Sequence, residues 1–464
     1  MTKRIEKDLI GEMEVDDSHY YGVHSQRAIE NFPITGIKTS NYPVFIAAFA
    51  KIKKTSALAN KELGELDAKL AEYIIKACDK LIAGEYHEHF AIDMIQGGAG
   101  TSMNMNANEV IANVALELMG NKKGEYTIVS PNDHVNMSQS TNDTYPSSIK
   151  VAVYEYIDTL VAEMNLLIKS LEKKGEQYKH VVKVGRTQLQ DAVPMTVGQW
   201  FNNYANQVRS SIETLLDSRK VLLGLNMGAT AIGTGITANP AYSKTFDKHV
   251  KDVIGKDFFV MKDLFVGTQD ASGFTYVSGG LKRFAVQLSK ICNDFRLASS
   301  GPRAGLGEIT LPAKQAGSSI MPGKINPVIA EAVNQVCFQV IGNDTAISFA
   351  AEGGQLELNA FEPLMVLNLL ESINMLKNGL KTLRINLVDG LVVNEKVCQH
   401  HAENNISIVT ALNSYIGYKK STMVAQKCLE ENKSVYQVVL ELGLMEESKL
   451  KEVLNLNEMV YPRR

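Results

Sequence analysis

Long segments in which apolar residues recur every three or four positions dominate the sequence from residue 45 onward. This spacing places apolar side chains along one stripe of an α-helix. The pattern is clearest in five segments, each far longer than an average helix: residues 151–179, 196–225, 278–300, 326–351 and 362–388. Because each segment must bury its stripe against a neighbour, the pattern predicts a bundle of long helices.

The two ends of the chain have a different pattern. The first 45 residues are turn-rich, and shorter helical segments follow the sequence GLVVNEKV near the C-terminus. At 464 residues the chain is also too long for one small core. We therefore predict a mainly α-helical protein with three domains: an N-terminal domain at 1–140, a central helical bundle domain at 141–395 and a small helical C-terminal domain at 396–464.

Composition narrows the classes of partner. The chain carries 48 basic and 51 acidic side chains, a net charge of −3, so no basic field favours nucleic acid or an anionic membrane. The N-terminus alternates charged and single apolar residues, unlike a signal peptide, and no later segment is apolar for long enough to span a bilayer. We therefore expect a cytoplasmic protein that acts on small molecules.

The cysteines predict no covalent framework. They are Cys78, Cys292, Cys337, Cys398 and Cys428. Their number is odd, they are widely scattered, and none belongs to a C-x-x-C pair, which argues against both disulfides and a zinc ribbon. We expect all five to be reduced and structural.

Four stretches rich in glycine, hydroxyl and amide side chains interrupt the helical pattern. They are QGGAGTSMNMNANEV at 96–110, SPNDHVNMSQSTNDTYP at 130–146, GRTQLQDAVPMT at 185–196 and AGSSIMPGKINP at 316–327. Such residues supply donors that can surround a small anion. Each stretch alone is equally typical of an ordinary cap or turn, so the hypothesis of an anion site depends on all four.

Two familiar motifs are excluded. Residues 317–324 resemble a phosphate-binding loop, but they have one residue too many between the glycines, and Ile325 stands where a Mg²⁺-binding Ser or Thr is required. The sequence GTGITA at 233–238 matches a dinucleotide fingerprint only loosely, without a buried strand or a βαβ pattern around it. We interpret it as a helix-terminating turn and expect no organic cofactor.

The loop sequence GSSIMPGKIN resembles the signature of the fumarase/aspartase superfamily, helical lyases that release fumarate from a substrate carrying ammonia, water or a larger leaving group. The sequences RIEKDLIGEMEV, YYGVHSQRAIENF and ENNISIVTALNSYIGY extend the resemblance over essentially the whole chain. In detail, GTSMNMNANEV, SQSTND, PNDHVN, GRTQLQDAVPMT and KINPVIAE are similar to the aspartase members. The resemblance implies reversible deamination of L-aspartate to fumarate and ammonia.

Gln188, one of the implied substrate-binding residues, bears on which leaving group is expelled. Hydroxide leaves malate only with a positioned proton donor, and fumarases have a histidine at this site. The ammonium group of aspartate needs no further protonation, so a neutral amide is compatible with a deaminase. Ser130, where fumarases often have another histidine, points the same way. Some aspartases retain the histidine at 188, and two alternatives stay open: a fumarate hydratase and a non-catalytic structural relative.

The resemblance implies a set of donors around the substrate's β-carboxylate. Removal of the C3 proton produces a dianionic aci-carboxylate, which preorganised donors must stabilise. The implied donors are the neutral hydroxyls of Thr101, Ser140, Thr141 and Ser319.

The remaining substrate groups have implied partners as well. Asn142 and Thr101 are implied to face the amino group. Thr187, Lys324 and Asn326 are implied to hold the α-carboxylate, with Lys324 contributing charge.

Ser318 is implied to be the general base. An isolated serine hydroxyl is too weakly acidic to be deprotonated near neutral pH. We expect Gly317 and Gly323 to let backbone N–H groups turn toward the alkoxide, and Lys324 to lower the cost of its charge. Because Gly and Pro at the ends of a loop allow hinge motion, we predict that residues 312–327 form a lid that closes over substrate.

His134 is the only one of nine histidines inside a motif stretch, and we expect it to be hydrogen-bonded and structural, with no metal site. The long helices have more apolar surface than one small domain needs to cover. Together with the resemblance, this predicts a homotetramer with a shared multi-helix core and sites assembled from three chains. The expected partners are a dicarboxylate or amino-acid substrate and further copies of the chain.

Overall fold

The computed structural model describes residues 2–461 and is mainly helical, which confirms the predicted fold class. The α-helices are α1 (Val23–Asn31), α2 (Pro43–Glu62), α3 (Ala68–Ile82), α4 (Thr101–Leu118), α5 (Thr141–Gln177), α6 (Val197–Ser218), α7 (Tyr242–Ile254), α8 (Leu264–Gln269), α9 (Ser272–Ala298), α10 (Val328–Glu352), α11 (Glu362–Leu383), α12 (Glu395–Glu403), α13 (Asn413–Ile416), α14 (Tyr418–Glu431), α15 (Val435–Glu441), α16 (Glu447–Val453) and α17 (Leu456–Met459). Short 3₁₀ helices occupy Thr39–Asn41, His87–His89, Arg219–Leu223 and Ile406–Leu412, and π-helices occupy Pro131–Val135 and Arg384–Val388.

The strands of the described residues pair into four separate two-stranded sheets. The antiparallel pairs are β1 (Lys3–Lys7) with β2 (Glu12–Asp16), β3 (Val182–Thr187) with β4 (Gln190–Thr196), and β7 (Ile309–Thr310) with β8 (Val392–Val393). The parallel pair is β5 (Gly224–Leu225) with β6 (Phe259–Val260). The β3–β4 hairpin is the one that carries predicted site residues.

All five predicted long helices are present, but some of their bounds differ. α5 begins at Thr141 rather than at 151, and α6 ends at Ser218 rather than at 225. Pro146 lies inside α5, where its missing N–H leaves the carbonyl of Asn142 without a helical partner. Asn226 Nδ2 donates to that carbonyl at 3.0 Å instead. The helix can therefore start ahead of the proline.

Two interpretations of the polar stretches were wrong. The stretch at 96–110 does not simply interrupt the helices, because its last ten residues, from Thr101 onward, are the start of α4 and its asparagines are buried among polar partners. The sequence GTGITA does not terminate a helix. It lies in the turn-rich segment between β5 and α7, where Gly233 and Gly235 have φ of +125° and +72°.

The chain forms two compact units, each made of three chain segments. Unit 1 comprises Met1–Val161, Glu213–Ala285 and Gln339–Leu376, and unit 2 comprises Ala162–Ile212, Val286–Phe338 and Lys377–Arg464. This division does not test the three sequence domains, which stay a prediction.

Each unit has its own aromatic core. In unit 1, Phe45, Phe49 and Tyr145 pack against one another with ring centroids 5.3 to 5.9 Å apart. In unit 2, Trp200 and Phe295 contact edge to face at 5.7 Å. All five cysteines are free and buried, as predicted. Within residues 2–461, none of the helices has the combination of length and apolar character that crossing a bilayer requires.

Candidate active site

Thr101 is the first residue of α4 and follows a tight turn. Gly98, Ala99 and Gly100 all have positive φ, between 52° and 89°. The Thr101 hydroxyl donates to the carbonyl of Gly98 at 2.7 Å. A Cβ at residue 100 would lie 2.4 Å from the ring of Tyr145, so only glycine allows this approach. The turn therefore places the exposed Thr101 beside the first turns of α5.

Ser140, Thr141 and Asn142 form the start of α5. Ser140 N–H donates to Asp143 Oδ1 at 2.9 Å, and Ser140 Oγ accepts from Asn142 N–H at 3.2 Å, so Ser140 caps the helix with both its side chain and its backbone. Thr141 Oγ1 accepts from Asn104 Nδ2 of α4 at 3.1 Å. Asn142 Nδ2 donates to the carbonyl of Ala231 at 2.7 Å. The starts of α4 and α5 are thereby held side by side within unit 1.

Two buried charges lie behind this pair of helix starts. The Asp143 carboxylate accepts N–H groups of Ser140, Gly228 and Thr230, and burial raises its pKa to about 6. Burial lowers the pKa of Lys53 to about 7, and the Asp143 charge opposes that shift. The two opposite charges compensate each other, which is the usual condition for an ionic group in a protein interior.

Thr187 and Gln188 lie at the tip of the β3–β4 hairpin in unit 2, where Thr187 pairs with Gln190. The two residues of the turn, Gln188 and Leu189, have φ of 53° and 65°. Positive φ at both positions defines the type I′ turn, which normally requires Asn and Gly. Non-glycine residues in this region carry backbone strain, which is found disproportionately at functional sites.

We expect Leu189→Gly to stabilise the protein. Leu189 is 70% exposed, so little packing is lost, and glycine removes a left-handed strain of about 1 kcal/mol. A matched control is Val193→Gly on β4, because Val193 is also exposed but has an extended backbone, and glycine there should destabilise. Thermal midpoints measured for both variants check this. A lower midpoint for Leu189→Gly would show that the turn is not strained.

A buried carboxylate binds strand β3 of the hairpin. Glu308 pairs with Arg186 at 2.7 Å and with Lys183 at 3.2 Å. Burial acts to raise the pKa of Glu308, but the two cations outweigh it and lower the pKa below its usual value. A cavity of about 380 Å³ lies between these residues and Gln188. Glu308 therefore fixes a hairpin whose tip forms part of an open cavity.

The loop 312–327 carries Ser318, Ser319, Lys324 and Asn326. Ser318 Oγ accepts the N–H groups of Met321 at 3.0 Å and of Ile320 at 3.3 Å. Asn326 Nδ2 donates to the carbonyl of Gly317 at 2.5 Å. A Cβ at residue 317 would lie 1.4 Å from the carbonyl oxygen of Lys324, so only glycine lets the two ends of the loop touch.

The loop is exposed in this structure. Ser319 and Lys324 are exposed, and Ile320 is 83% exposed. Within the described part of the chain, the side chains of residues 312–327 form hydrogen bonds only with other residues of the loop. In this conformation the loop is held by its own hydrogen bonds, and Ser319 and Lys324 stay exposed.

The structure brings the ten predicted site residues together only in groups. Thr101, Ser140, Thr141 and Asn142 lie together in unit 1, whereas the hairpin tip and the loop are separate elements of unit 2. In residues 2–461 no hydrogen bond or ion pair joins the loop to Thr187 or Gln188. His134 has the expected structural role, since its Nδ1 accepts the Ser130 N–H at 2.9 Å.

Sequence reasoning missed the residues that support these groups. All five are buried or half-buried: Asn104, Asn136, Asp143 and Glu308 contact a predicted site residue or its chain neighbour, and Lys53 binds Asn136. Lysine and glutamate are usually exposed, so their identity gave no signal. The asparagines at 104, 106 and 108 were a signal, because buried amides imply a polar network.

Comparison with known proteins identifies relatives over nearly the whole chain. A chain 53% identical over 459 residues, covering 99% of this chain and 98% of its own, is the aspartate ammonia-lyase of Helicobacter pylori. A Brucella melitensis crystal structure, described as fumarate lyase:delta crystallin bound to cobalt, is 44% identical with a TM-score of 0.97, covering 99% of this chain and 100% of its own. A class II fumarase from Schistosoma mansoni is 32% identical with a TM-score of 0.95, and both chains are fully covered.

Two family models match the chain as well. The lyase family model matches residues 11–342, and the model of the fumarase C C-terminus matches residues 408–461. All ten predicted site residues lie within the range that the lyase family model matches. The chain belongs to the lyase family, with a C-terminal segment of the fumarase C type.

Proposed function

We propose that the protein is an aspartate ammonia-lyase that converts L-aspartate reversibly to fumarate and ammonia. The observation that carries the proposal is the 53% identity, over nearly the whole chain, to an aspartate ammonia-lyase. The fumarase structure is less similar, at 32%. Gln188 supports the same choice, because its neutral amide at the hairpin tip cannot protonate a leaving hydroxide.

In the first step, Ser318 removes a C3 proton from the substrate. The two backbone N–H groups that donate to Ser318 Oγ support this role, because such donors stabilise an alkoxide oxygen. The loop is rich in glycine and proline, yet hydrogen bonds hold the Ser318 oxygen at its centre in place. Lys324, six residues further along, adds a positive charge to the same loop.

The departing proton leaves a dianionic aci-carboxylate, which four hydroxyls stabilise in the proposed mechanism: those of Thr101, Ser140, Thr141 and Ser319. The first three lie on the adjoining helix starts of unit 1. The Thr101 hydroxyl, which donates to the Gly98 carbonyl in this structure, has to turn toward the carboxylate when substrate binds. A helix N-terminus presents unpaired N–H groups and a partial positive charge, and both favour a carboxylate. Collapse of the intermediate then expels ammonia and forms fumarate.

The remaining contacts orient the substrate. In the proposal Asn142 and Thr101 face the amino group, and Thr187, Lys324 and Asn326 hold the α-carboxylate. The Asn142 amide already has one N–H bound to Ala231, which fixes its direction. The closure of residues 312–327 brings base and donors together once the ligand is bound.

We also propose that the active form is a homotetramer in the cytoplasm, with each site assembled from three chains. The surface of α10 supports an assembly, because Phe338 and Phe349 are 58% and 71% exposed. The exposed residues between them carry no charge: Gln339, Gly342, Thr345 and Ser348. A long neutral helix face with exposed aromatics is typical of a surface that another subunit covers.

The substrate assignment predicts that the purified protein forms fumarate from L-aspartate and acts poorly on L-malate. Fumarate absorbs in the ultraviolet, so one spectrophotometric assay follows both reactions. We expect the aspartate rate to exceed the malate rate at least about a hundredfold, because Gln188 offers no acid for hydroxide departure. Comparable rates would indicate a hydratase, and no turnover of either would indicate a structural relative.

A further inference from the structure

A buried lysine determines the orientation of a series of hydrogen-bonded asparagine side chains next to the start of α5. Lys53, on α2, is fully buried, and its Nζ donates to Asn136 Oδ1 at 2.9 Å. An ammonium group has donors and no acceptor. In its charged form Lys53 can therefore only donate, and Asn136 presents its oxygen to it. In agreement, Asn136 Nδ2 points away and donates to the carbonyl of Gln139 at 3.1 Å.

The orientation of Asn136 in turn fixes Asn104 of α4. The oxygen of Asn136 also accepts from Asn104 Nδ2 at 3.1 Å and from Asn108 Nδ2 at 3.2 Å. If Asn104 were turned over, two amide oxygens would face each other. Asn104 keeps this orientation although its own Oδ1 is buried without a hydrogen-bond partner. The hydrogen bond from Lys53 to Asn136, and not a partner for the Asn104 oxygen, therefore determines which way the Asn104 amide faces.

The same amino group of Asn104 reaches Thr141. Its second N–H donates to Thr141 Oγ1 at 3.1 Å. A hydroxyl that accepts at its oxygen directs its own proton elsewhere. Over residues 2–461 the Thr141 hydroxyl proton has no acceptor among the hydrogen bonds of the structure. It is therefore available to a ligand.

We propose that Lys53, Asn136 and Asn104 are positioning residues that hold the Thr141 hydroxyl as a hydrogen-bond donor toward a carboxylate of the substrate. This inference rests on the proposed function, in which Thr141 holds the β-carboxylate. A hydroxyl that is free to rotate would spend part of its time with its oxygen toward the anion, which is repulsive. The network removes that orientation in advance, and such preorganisation strengthens both binding and transition-state stabilisation.

Asn108 supplies a matched control on the same helix. It lies one turn after Asn104, is buried, donates to the same oxygen of Asn136 and also has an unpartnered Oδ1. Its second N–H goes to the sulfur of Met105 at 3.6 Å and not to Thr141. A merely structural role predicts equal effects for the two asparagines, whereas the proposed role predicts an effect on ligand binding only for Asn104.

The test compares Asn104→Leu with Asn108→Leu, using calorimetric binding of succinate and kcat/KM for L-aspartate. We expect Asn104→Leu to weaken succinate binding about tenfold more than Asn108→Leu does, as loss of an oriented hydrogen bond to a charged group implies. The loss in kcat/KM should be larger, because the aci-carboxylate carries more charge than succinate's carboxylate. In a Thr141→Val background, the difference between the two asparagine variants should disappear.

A second pair guards against variants that do not fold. Asn104→Asp and Asn108→Asp each place a carboxylate near Lys53, but only the former accepts the Thr141 proton and turns the hydroxyl away from the ligand. We expect Asn104→Asp to lose succinate binding and Asn108→Asp to weaken it less, because the carboxylate at 108 faces Asn136 Oδ1 but not Thr141. Equal effects within twofold in either pair, or a difference that persists with Thr141→Val, would overturn the inference. If the wild type neither binds succinate nor deaminates aspartate, the proposed function fails instead.

Discussion

Ser318→Ala is expected to reduce kcat for aspartate deamination by about a thousandfold or more, the range for removal of a general base. The Ser318 oxygen is the proposed acceptor of the C3 proton, and no other group on the loop accepts two backbone N–H groups in this way among the described residues. The affinity for succinate should change little, because the proposed carboxylate donors remain. Kinetics and calorimetry on the same preparation measure the two quantities.

Ser319→Ala is the matched control, because Ser319 lies on the same loop and is exposed. Its hydroxyl is proposed to bind the β-carboxylate, so its loss should weaken succinate binding as well as turnover. Loss of succinate binding in Ser318→Ala would show that the hydroxyl mainly caps the turn formed by residues 318–321. Substantial remaining turnover would mean that another group is the base.

A mixture of two inactive variants is expected to recover activity. Thr187→Ala and Ser318→Ala each remove a proposed site residue, one from the hairpin and one from the loop. If the two residues reach a site from different chains, some sites in refolded hybrids contain neither substitution. Random mixing in equal amounts then gives about a quarter of the sites intact, because each site needs one unsubstituted residue from each of two chains. Fumarate production after joint denaturation and refolding measures this.

Three controls make the result decisive. The wild type must regain activity under the same refolding conditions, and each variant refolded alone must stay inactive. A double variant with Thr187→Ala and Ser318→Ala, mixed with either single variant, must also stay inactive, because every site would then keep a defect. If the mixture of single variants stays inactive while the wild type recovers, both residues belong to one chain at each site.

The long helices were predictable because their apolar stripes are buried, and burial imposes a helical period on the sequence. Their ends were less predictable, because distant residues determine them. α5 extends ahead of Pro146 since Asn226, 80 residues away by number, satisfies the carbonyl that the proline leaves free. The start of α4 resembles a loop in sequence because its asparagines are polar, yet they are buried, with hydrogen-bond partners at His89 and among residues 136–141.

The candidate site, like the fold, could be predicted from the sequence only in part. The four stretches and the residues in them were found from composition and from resemblance to a family, and their roles stay predictions. The turn at Gln188 and Leu189 could not be predicted, because neither residue favours positive φ and no local rule selects it. Lys53 could not be found either, since a lysine on an apolar helix is normally a surface residue. A residue such as Lys53, which supports the site through Asn136, is recognised only when the packing is known.

The most direct test of the account lets the two candidate reactions compete in one sample. Purified protein is given fumarate and ¹⁵N-labelled ammonium in water at neutral pH, and the products are identified by nuclear magnetic resonance. The expected product is ¹⁵N-labelled L-aspartate with little or no malate, because ammonia adds to fumarate in the reverse of the proposed reaction. Malate as the main product would contradict the proposed reaction. Water is present in great excess over ammonium in the sample, so the supply of water does not limit malate formation.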